Sequence, residues 1–424
     1  MPREDLKALQ LQRLRDCVAR IQNVPFYKDT FRREHITPDS IRSLDDLRRL
    51  PFTNKEDLRQ HYPLGFMALP KDQVVRIHGS SGTTGLPTYV AYTKNDLNLW
   101  ANLCARFLYA GGVRPQHTAH VAFGYGMFTG GFGLHYGIEC LGAAVVPASA
   151  GNTRRHIEIM HALQPEVLIC TPSYALVIAE VAQELGNGEV NLPLKIGHFG
   201  GEPWTEDMRE QIEQQLHIRA FNNYGLSEVM GPGVSGECWH QNGMHIQEDH
   251  FLVECIDPDT LEPVAPGEKG ELVFTSMTRE AMPLLRYRTR DIATLDESPC
   301  ACGRTSRRMS RITGRTDDML IIRGVNIFPS QIEEALLRVE GTAPHYQIEV
   351  DRPGILDELT VRVEIRPQDF SDKMRHMQQL KERIDKEIQS VTGLRANVEL
   401  VKPQTLERFV GKAKRVIDKR NLKG

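Results

Sequence analysis

Between residues 74 and about 230, short apolar runs alternate with stretches of helical length. The runs "VVRI", "AHVAF", "AAVVPA", "EVLICT", "KIGHFG" and "RAFNNYG" alternate with helical patterns such as those at 153–163, 173–185 and 204–216. Alternation of this kind predicts an α/β fold with a largely parallel sheet. From about 250 to 295 the pattern turns to extended segments and turns, "HFLVECIDPDTLEPVAPGEKGELVFTSM", which predicts a small β subdomain. Residues 1–65 read as helices with basic and acidic faces, a lid or outer layer; examples are "SLDDLRRL" at 43–50 and "TNKEDLRQHY" at 53–62, the latter capped by Thr53 or Asn54.

The last hundred residues are patterned as a separate unit. "DMLIIRG" reads as a strand, "SQIEEALLRVE" as a helix, "HYQIEVD" and "ELTVRVEIRP" as strands, "DKMRHMQQLKERIDKEIQSVT" as a long helix and "RANVELV" as a strand. This βαββαβ order predicts a small α+β, ferredoxin-like domain. Its tail, "KPQTLERFVGKAKRVID", runs on past the last strand.

Composition excludes several classes. A formal net charge of −3, with basic residues spread rather than blocked, gives no general attraction to nucleic acid or a membrane surface. The start, "MPREDLKALQLQRLRD", has no apolar signal core, and there is no run of about 18 apolar residues, so a cytoplasmic protein is expected. Eight cysteines in 424 residues are too sparse for a disulfide scaffold, which leaves free thiols or a metal.

The stretch "HGSSGTTGLP" at 78–87 joins two extended segments with three glycines and four hydroxyls. Backbone N–H groups and hydroxyls suit an anion, and glycine lets the backbone come close; a plain surface turn has the same composition. The phosphate loop of common NTPases requires a Gly-Lys-Ser/Thr ending that opens a helix, and neither follows here. "FGGEPWT" (199–205) and "NNYGLSE" (222–228) place glycines and polar groups directly after apolar runs, where ligands of open α/β sheets bind. "LLRYRTRD" (284–291) ends in an aspartate after three arginines.

In order, "SSGTTGLP", "GGEPW", "YGLSE", "LRYRTRD", "ITGRTDDMLIIRGVNIFPSQIE" and "GKAKRVID" resemble the motifs of the adenylate-forming acyl-CoA synthetases. "GYGMFTGGFGLHYG", "LSEVMGPG" and "GVNIFPSQIEE" resemble the phenylacetate–CoA ligase family in particular. The resemblance implies a two-step reaction: a carboxylate attacks the α-phosphate of ATP, giving an acyl adenylate and pyrophosphate, and the thiol of coenzyme A then displaces AMP. It implies a large multi-subdomain adenylation domain over 1–316 and a mobile C-terminal domain over 317–424, hinged at Asp317.

By the same resemblance, Ser80, Ser81, Gly82, Thr83, Thr84 and Gly85 hold the β- and γ-phosphates, with Leu86 standing where the family often has lysine. Gly200, Gly201, Glu202 and Pro203 pack on adenine, with Asn223, Tyr224 and Gly225 beside it. Ser227 and Glu228 lie at the α-phosphate and Mg²⁺, Asp291 takes the ribose hydroxyls, Arg315 sits on ribose and phosphate, and Lys412 is the catalytic lysine. Composition alone reads Ser227–Glu228 as a helix cap, Asp291 as a surface ion-pair partner, and "KAKR" as a solvated basic face. Among Phe123, Tyr125, Phe128, Phe132 and Tyr136, the residues Tyr125 and Phe128 are expected to face an aryl acid.

"ECWHQNGMH" (237–245) and "CACGR" (300–304) form a second constellation. Cys238, His245, Cys300 and Cys302, with His240 as substitute, make a candidate tetrahedral zinc site; ordinary free thiols are the alternative. Cys17, Cys104, Cys140, Cys170 and Cys255 read as buried small apolar residues. The expected function is ATP-dependent ligation of an aryl acid to coenzyme A, with ATP, Mg²⁺ and coenzyme A as cofactors, a structural Zn²⁺, and a homodimer as the assembly to test. The rivals are an adenylating enzyme with another acceptor and a nucleotide-binding regulator without turnover; retention of Glu228, Asp291 and Lys412 speaks against the latter.

Overall fold

The computed structural model describes residues 1–80, 87–323, 325–353, 356–366, 369, 374–407 and 415–420. The chain forms two compact units: Met1–Cys170, Leu192–Gly201 and Ile218–Arg311 make the first, and Thr171–Asn191, Glu202–His217 and Ile312–Gly424 the second.

In the first unit, five strands pair in parallel in the order Ala144–Val146, Thr118–Val121, Val167–Cys170, Ile196–Phe199, Arg219–Leu226. Both ends of Val167–Cys170 are buried, as a strand covered on two faces requires. Past Arg219–Leu226 the pairing turns antiparallel, through Gly231–Glu237 and Met244–Ile246 to Arg308–Met309, Tyr287–Asp296, Lys269–Ser276 and Phe251–Ile256. The β subdomain is thus an antiparallel continuation of the same sheet.

Helix Lys94–Ala110 starts at a capping box: Thr93 Oγ1 accepts the Asp96 N–H and Asp96 Oδ2 accepts the Thr93 N–H, both at 3.0 Å. Its buried face, Trp100, Leu103, Cys104 and Phe107, meets glycines on two neighbours. A methyl group at Gly133 would stand 2.6 Å from Trp100 Cε2, one at Gly137 would collide with Cys104 Cβ, and one at Gly236 would stand 2.6 Å from Phe107 Cβ. Gly133 and Gly137 of "FTGGFGLHYG" therefore serve close helix packing.

The N-terminal segment is a fixed outer layer rather than a lid. Leu14, Cys17, Val18 and Ile21 of helix Arg3–Ile21 have no exposed surface, and burying such side chains stabilises by about 1.5–3 kcal/mol apiece for the larger ones. Gln10 Nε2 donates to the Glu248 carbonyl at 2.9 Å, and Arg13 donates to the Asp249 carbonyl. Asn54, not Thr53, caps helix Lys55–Gln60, accepting the N–H groups of Glu56 and Asp57 at 2.8 and 3.1 Å. Cys140 departs from expectation: it is exposed, because it falls on the outward side of the last turn of helix Thr129–Leu141 while Gly133 and Gly137 take the packed side.

In the second unit a four-stranded sheet runs Asn397–Val401, Glu358–Ile365, Thr342–Asp351, Val416–Asp418. Ile332 and Leu336 of helix Pro329–Leu337 and Leu380, Ile384 and Ile388 of helix Met374–Thr392 form its core with Ile348, Val361 and Val363. The α+β character is as expected, but one strand differs. Leu320–Ile322 pairs with Val325–Ile327 in a local hairpin, and the tail strand Val416–Asp418 supplies the sheet edge instead. Closing so short a loop costs little chain entropy, so the nearer partner wins.

Candidate active site and thiol cluster

The carboxyl ends of the parallel strands gather those residues of the first unit that the sequence motifs single out for a nucleotide. Phe199 and Asn222 are paired across neighbouring strands, and Asn223 Nδ2 donates to the Phe199 carbonyl at 2.8 Å. The backbones approach so closely that a Cβ on Gly200 would stand 2.5 Å from the Asn223 carbonyl oxygen, and Gly201 turns the chain at φ +85°. Gly225 is pressed against Gly231 on the next strand. Tyr224 Oη donates to Asp291 Oδ2 at 2.7 Å, and Asp291 is 6% exposed, so the aspartate is a buried acceptor and not a surface ion-pair partner.

Ser227 and Glu228 lie on the turn after strand Arg219–Leu226, at 5% and 6% exposure, which removes the exposed-cap alternative. Ser227 Oγ is 2.9 Å from Thr129 Oγ1, at the start of helix Thr129–Leu141. The turn is clamped by Arg279, which has no exposed surface: its Nη1 donates to the carbonyls of Glu228 and Val229 at 2.6 and 3.1 Å, and its Nη2 to Ala91 at 3.1 Å. Lys55 Nζ stands 3.8 Å from Glu228 Oε1. Mg²⁺ is ordinarily held by one or two carboxylates, with waters and phosphates completing the octahedron, so a single buried carboxylate fits it.

Sequence reasoning passed over Arg279 and Lys55. Arg279 had a signal: it is the one cation between Lys269 and Arg286, within "ELVFTSMTREAMPLL". A buried arginine needs several acceptors, and only folding brings the 228–229 carbonyls to it.

Strands Arg76–Gly79 and Tyr89–Tyr92 pair antiparallel and frame the Gly/Ser/Thr loop. Ser80 Oγ is buried with no partner among the described residues. Ser81, Gly82, Thr83, Thr84, Gly85 and Leu86, and Lys412, lie outside the described residues. In the expected acid pocket, Tyr125 Oη is 3.2 Å from His135 Nδ1 and its ring meets Phe132 edge to face at 5.3 Å. Burial pushes the Tyr125 phenol above its ordinary range, with Glu139 adding to it. Phe128 is 41% exposed, whereas Phe123 is buried in the core. Phe132 and Tyr136 stack, and the Arg76 guanidinium lies 5.2 and 4.7 Å from their ring centres.

Glu202, Pro203, Arg315 and Asp317 belong to the second unit. Glu202 Oε1 accepts the Ser173 N–H at 2.8 Å, at the start of helix Pro172–Leu185, where the helix dipole favours a carboxylate. Arg315 grips Asp317 through two bonds of 3.0 Å. Arg415, at the end of "KAKR", is not solvated: its Nη2 is 3.1 Å from Glu333 Oε1 and its guanidinium lies 4.3 Å from the Tyr346 ring centre.

Cys238, His245, Cys300 and Cys302 converge, their ligand atoms all within 4.8 Å of one another. Cys238 and Cys300 sulfurs are 3.8 Å apart, and Cys302 Sγ is 3.3 Å from His245 Nε2. Zn–S and Zn–N bonds of about 2.3 and 2.0–2.1 Å at tetrahedral angles give edges of roughly 3.8 Å (S to S) and 3.5 Å (S to N), close to both spacings. His245 Nδ1 lies 3.1 Å from Ser306 Oγ, the outer hydrogen bond a ligating imidazole uses to fix its ring. Burial raises the Cys238 thiol to about 12 and, reinforced by Arg304 and Arg308, lowers His245 to about 4. Burial works against the Cys302 thiolate, yet hydrogen bonds from Arg304 and the neighbouring thiols hold its pKa below the ordinary thiol value. His240 is not part of the cluster. A cleft of about 420 Å³ opens beside it, lined by Arg106, Cys140, His245 and Ser306 among others and by none of the expected nucleotide residues.

A sheet whose carboxyl-end turns bring a buried serine–glutamate pair near a tyrosine–aspartate hydrogen bond, followed by a small α+β domain, defines the adenylate-forming class. Residues 18–278 match the family described as AMP-binding enzyme, and residues 324–420 match the AMP-binding enzyme C-terminal domain. Phenylacetate-coenzyme A ligase from Thermus thermophilus is 48% identical, covering 99% of this chain and 98% of its own; that of Escherichia coli is 48% identical, covering 99% and 96%. A crystal structure of 2-hydroxyisobutyryl-CoA ligase in the postadenylation state, in complex with R3-HIB-AMP, superimposes with a TM-score of 0.92 at 30% identity, covering 99% of this chain and 90% of that one. The chain belongs to the AMP-binding enzymes and, within them, to the phenylacetate–coenzyme A ligase family.

Proposed function

We propose that the protein joins an aryl carboxylic acid, phenylacetate or a close relative, to coenzyme A. A carboxylate oxygen attacks the α-phosphorus of ATP and the bond to pyrophosphate breaks; the thiolate of coenzyme A then attacks the acyl carbon and AMP leaves with the electron pair of the broken C–O bond. The observation that carries this reading is Glu228, a carboxylate 6% exposed on a turn clamped by Arg279 and followed across the sheet by the Tyr224–Asp291 hydrogen bond.

Bringing a carboxylate to a triphosphate sets like charges together, at about 4 kcal/mol per pair at 4 Å near a protein surface. Glu228 is positioned to hold Mg²⁺, which when bound supplies charge neutralisation at the phosphates. Ser227 orients the α-phosphate, Asp291 accepts from the ribose hydroxyls, and Gly200 and Gly201 leave room for adenine beside Asn223 and Tyr224. The loop of Ser80, Ser81, Gly82, Thr83, Thr84 and Gly85 holds the outer phosphates, Arg315 and Lys412 supply cations from the C-terminal side, and Tyr125 and Phe128 wall the acid pocket. The functional division falls at 316/317, inside the second compact unit that begins its last segment at Ile312, with Asp317 as hinge. The Cys238–His245–Cys300–Cys302 cluster holds a structural zinc: four protein ligands close the tetrahedron and leave no position for chemistry. The protein works in the cytoplasm, and among the described residues no helix is long and apolar enough to cross a membrane. Sedimentation equilibrium decides between a monomer and a homodimer.

The test is AMP release across a panel of aryl and short-chain acids, with and without coenzyme A. The reading expects release that depends on both an aryl acid and coenzyme A, with phenylacetate among the best substrates. AMP release that ignores coenzyme A, or that favours short aliphatic acids, removes the substrate assignment.

A further inference from the structure

The strand leading into the Gly/Ser/Thr loop carries a histidine that the roles above do not use. His78 is 2% exposed, and its Nδ1 lies 3.0 Å from the carbonyl oxygen of Met127. The backbone N–H of Gly79 donates to the same oxygen, also at 3.0 Å. A carbonyl only accepts, so Nδ1 carries the hydrogen and Nε2 keeps its lone pair. That Nε2 is buried with no partner among the described residues, inside a cage where Tyr92, Trp100 and Phe132 each meet the imidazole edge to face at 5.6, 5.7 and 5.6 Å. Burial lowers the pKa of the ring, with Arg76 and Arg279 acting in the same direction, so His78 stays neutral at pH 7.

The position of this bond in the chain gives it meaning. Met127 lies between Tyr125 and Phe128, the acid-pocket residues, while Ser80 follows His78 by two residues at the root of the phosphate-side loop. The two N–H groups on one carbonyl therefore join the segment that walls the acid to the strand that frames the phosphates. A single backbone bond leaves the segment free to pivot about that oxygen; the second fixes its direction.

We propose that His78 is a positioning residue that locks the acid-pocket segment onto the root of the phosphate-side loop, setting where the bound carboxylate stands relative to the α-phosphate. This rests on the ligase reading above. Misplacement of a reacting group by about 1 Å costs up to ~10²-fold in rate, so a bond that sets the distance between two substrates acts on turnover without touching either.

The experiment compares His78→Leu, which removes the donor, with His78→Asn, whose amide nitrogen occupies nearly the place of Nδ1. Pyrophosphate exchange gives separate KM values for aryl acid and ATP, and hydrogen exchange reads the amides of residues 124–128 without substrate. For His78→Leu the expected result is a KM for the acid raised about 10-fold, a lower kcat, a KM for ATP within about 2-fold, and faster exchange at 124–128. His78→Asn should restore all of these to within about 3-fold of wild type. Equal losses for acid and ATP, no loss in His78→Leu, or an asparagine variant no better than leucine overturns the proposal, because a residue that only fills the core would behave in one of those ways. Failure of the wild type on every aryl acid would instead remove the ligase reading, and amide exchange at 124–128 in the three proteins would still decide whether His78 holds the segment.

Discussion

At the scale of single residues, the site depends on charges placed where water is scarce. Asp291 and Glu228 are both buried, and each has a donor or cation close by: Tyr224 Oη at 2.7 Å from the first and Lys55 Nζ at 3.8 Å from the second. The proposed catalytic cation is Lys412, in the Gly-Lys dipeptide three residues before the anchored Arg415. Losing one contact to the charge that develops in a transition state costs about 3–4 kcal/mol, or ~10²–10³ in rate. Lys412→Ala should lower pyrophosphate exchange by that factor while sparing thioester formation from a pre-formed acyl adenylate. Equal losses in the two half reactions would show that the lysine has been misassigned. Asp291 and Glu228 stand out in the sequence because they sit in ordered motifs; the only local mark of Arg279 is its isolation among cations and Lys55 has none, since their partners lie about 50 and 173 residues away along the chain.

At the scale of elements, helix Lys94–Ala110 is held between a glycine-faced helix and a glycine-faced strand. Overfilling such a contact typically costs about 1–3 kcal/mol. Gly137→Ala, which collides with Cys104, should lower the Tm by several degrees, whereas Gly126→Ala, with nothing within 4 Å, should leave it unchanged. Calorimetry on the pair decides whether these glycines are packing residues. The thiol cluster ties Cys238, just past the end of strand Gly231–Glu237, to His245 on Met244–Ile246 and to the turn after Tyr287–Asp296. Elemental analysis should give one zinc per chain, and a chelator should lower the Tm with no change in the acid preference of the protein that remains folded. Zinc-replete protein with fewer than about half an equivalent of metal would sink the site, and no catalytic assignment depends on it.

At the scale of the whole molecule, buried histidines make the fold acid-sensitive, His120 and His198 among them. Burial lowers His120 to about 4, with His156 adding to the effect, and lowers His198 to about 3, against 6.5 for a free imidazole. The native state keeps both neutral while the unfolded chain takes up protons below pH 6.5, so stability is full above that pH and falls as pH drops toward 4. Between pH 6.5 and 5 this amounts to about 2 kcal/mol per histidine at most. Urea midpoints should decline over that window, and His198→Leu should flatten the decline. The two-step reaction places a different demand on the chain. Asp317→Pro fixes φ at the proposed hinge, so pyrophosphate exchange should survive while acyl-CoA formation fails; normal rates for both would place the hinge elsewhere.

The sequence by itself determined the α/β class, the strand positions of the parallel sheet except for "VVRI", which joins a separate antiparallel pair, and the α+β character of the C-terminal unit, because hydrophobic periodicity and turn residues are local signals. It also determined the thiol and imidazole set, since Cys238, His245, Cys300 and Cys302 are chemically distinctive wherever they fall. Tertiary structure alone decided that the β subdomain continues the main sheet and that Val416–Asp418, not Leu320–Ile322, edges the small one. It alone decided that Cys140 faces outward, that Arg279 closes the Ser227–Glu228 turn, and that His78 and Gly79 share the Met127 carbonyl. Strand pairing and buried hydrogen bonds join residues distant in the chain, and their energies depend on which groups lose water together, a property of the packed molecule that no local stretch of sequence carries.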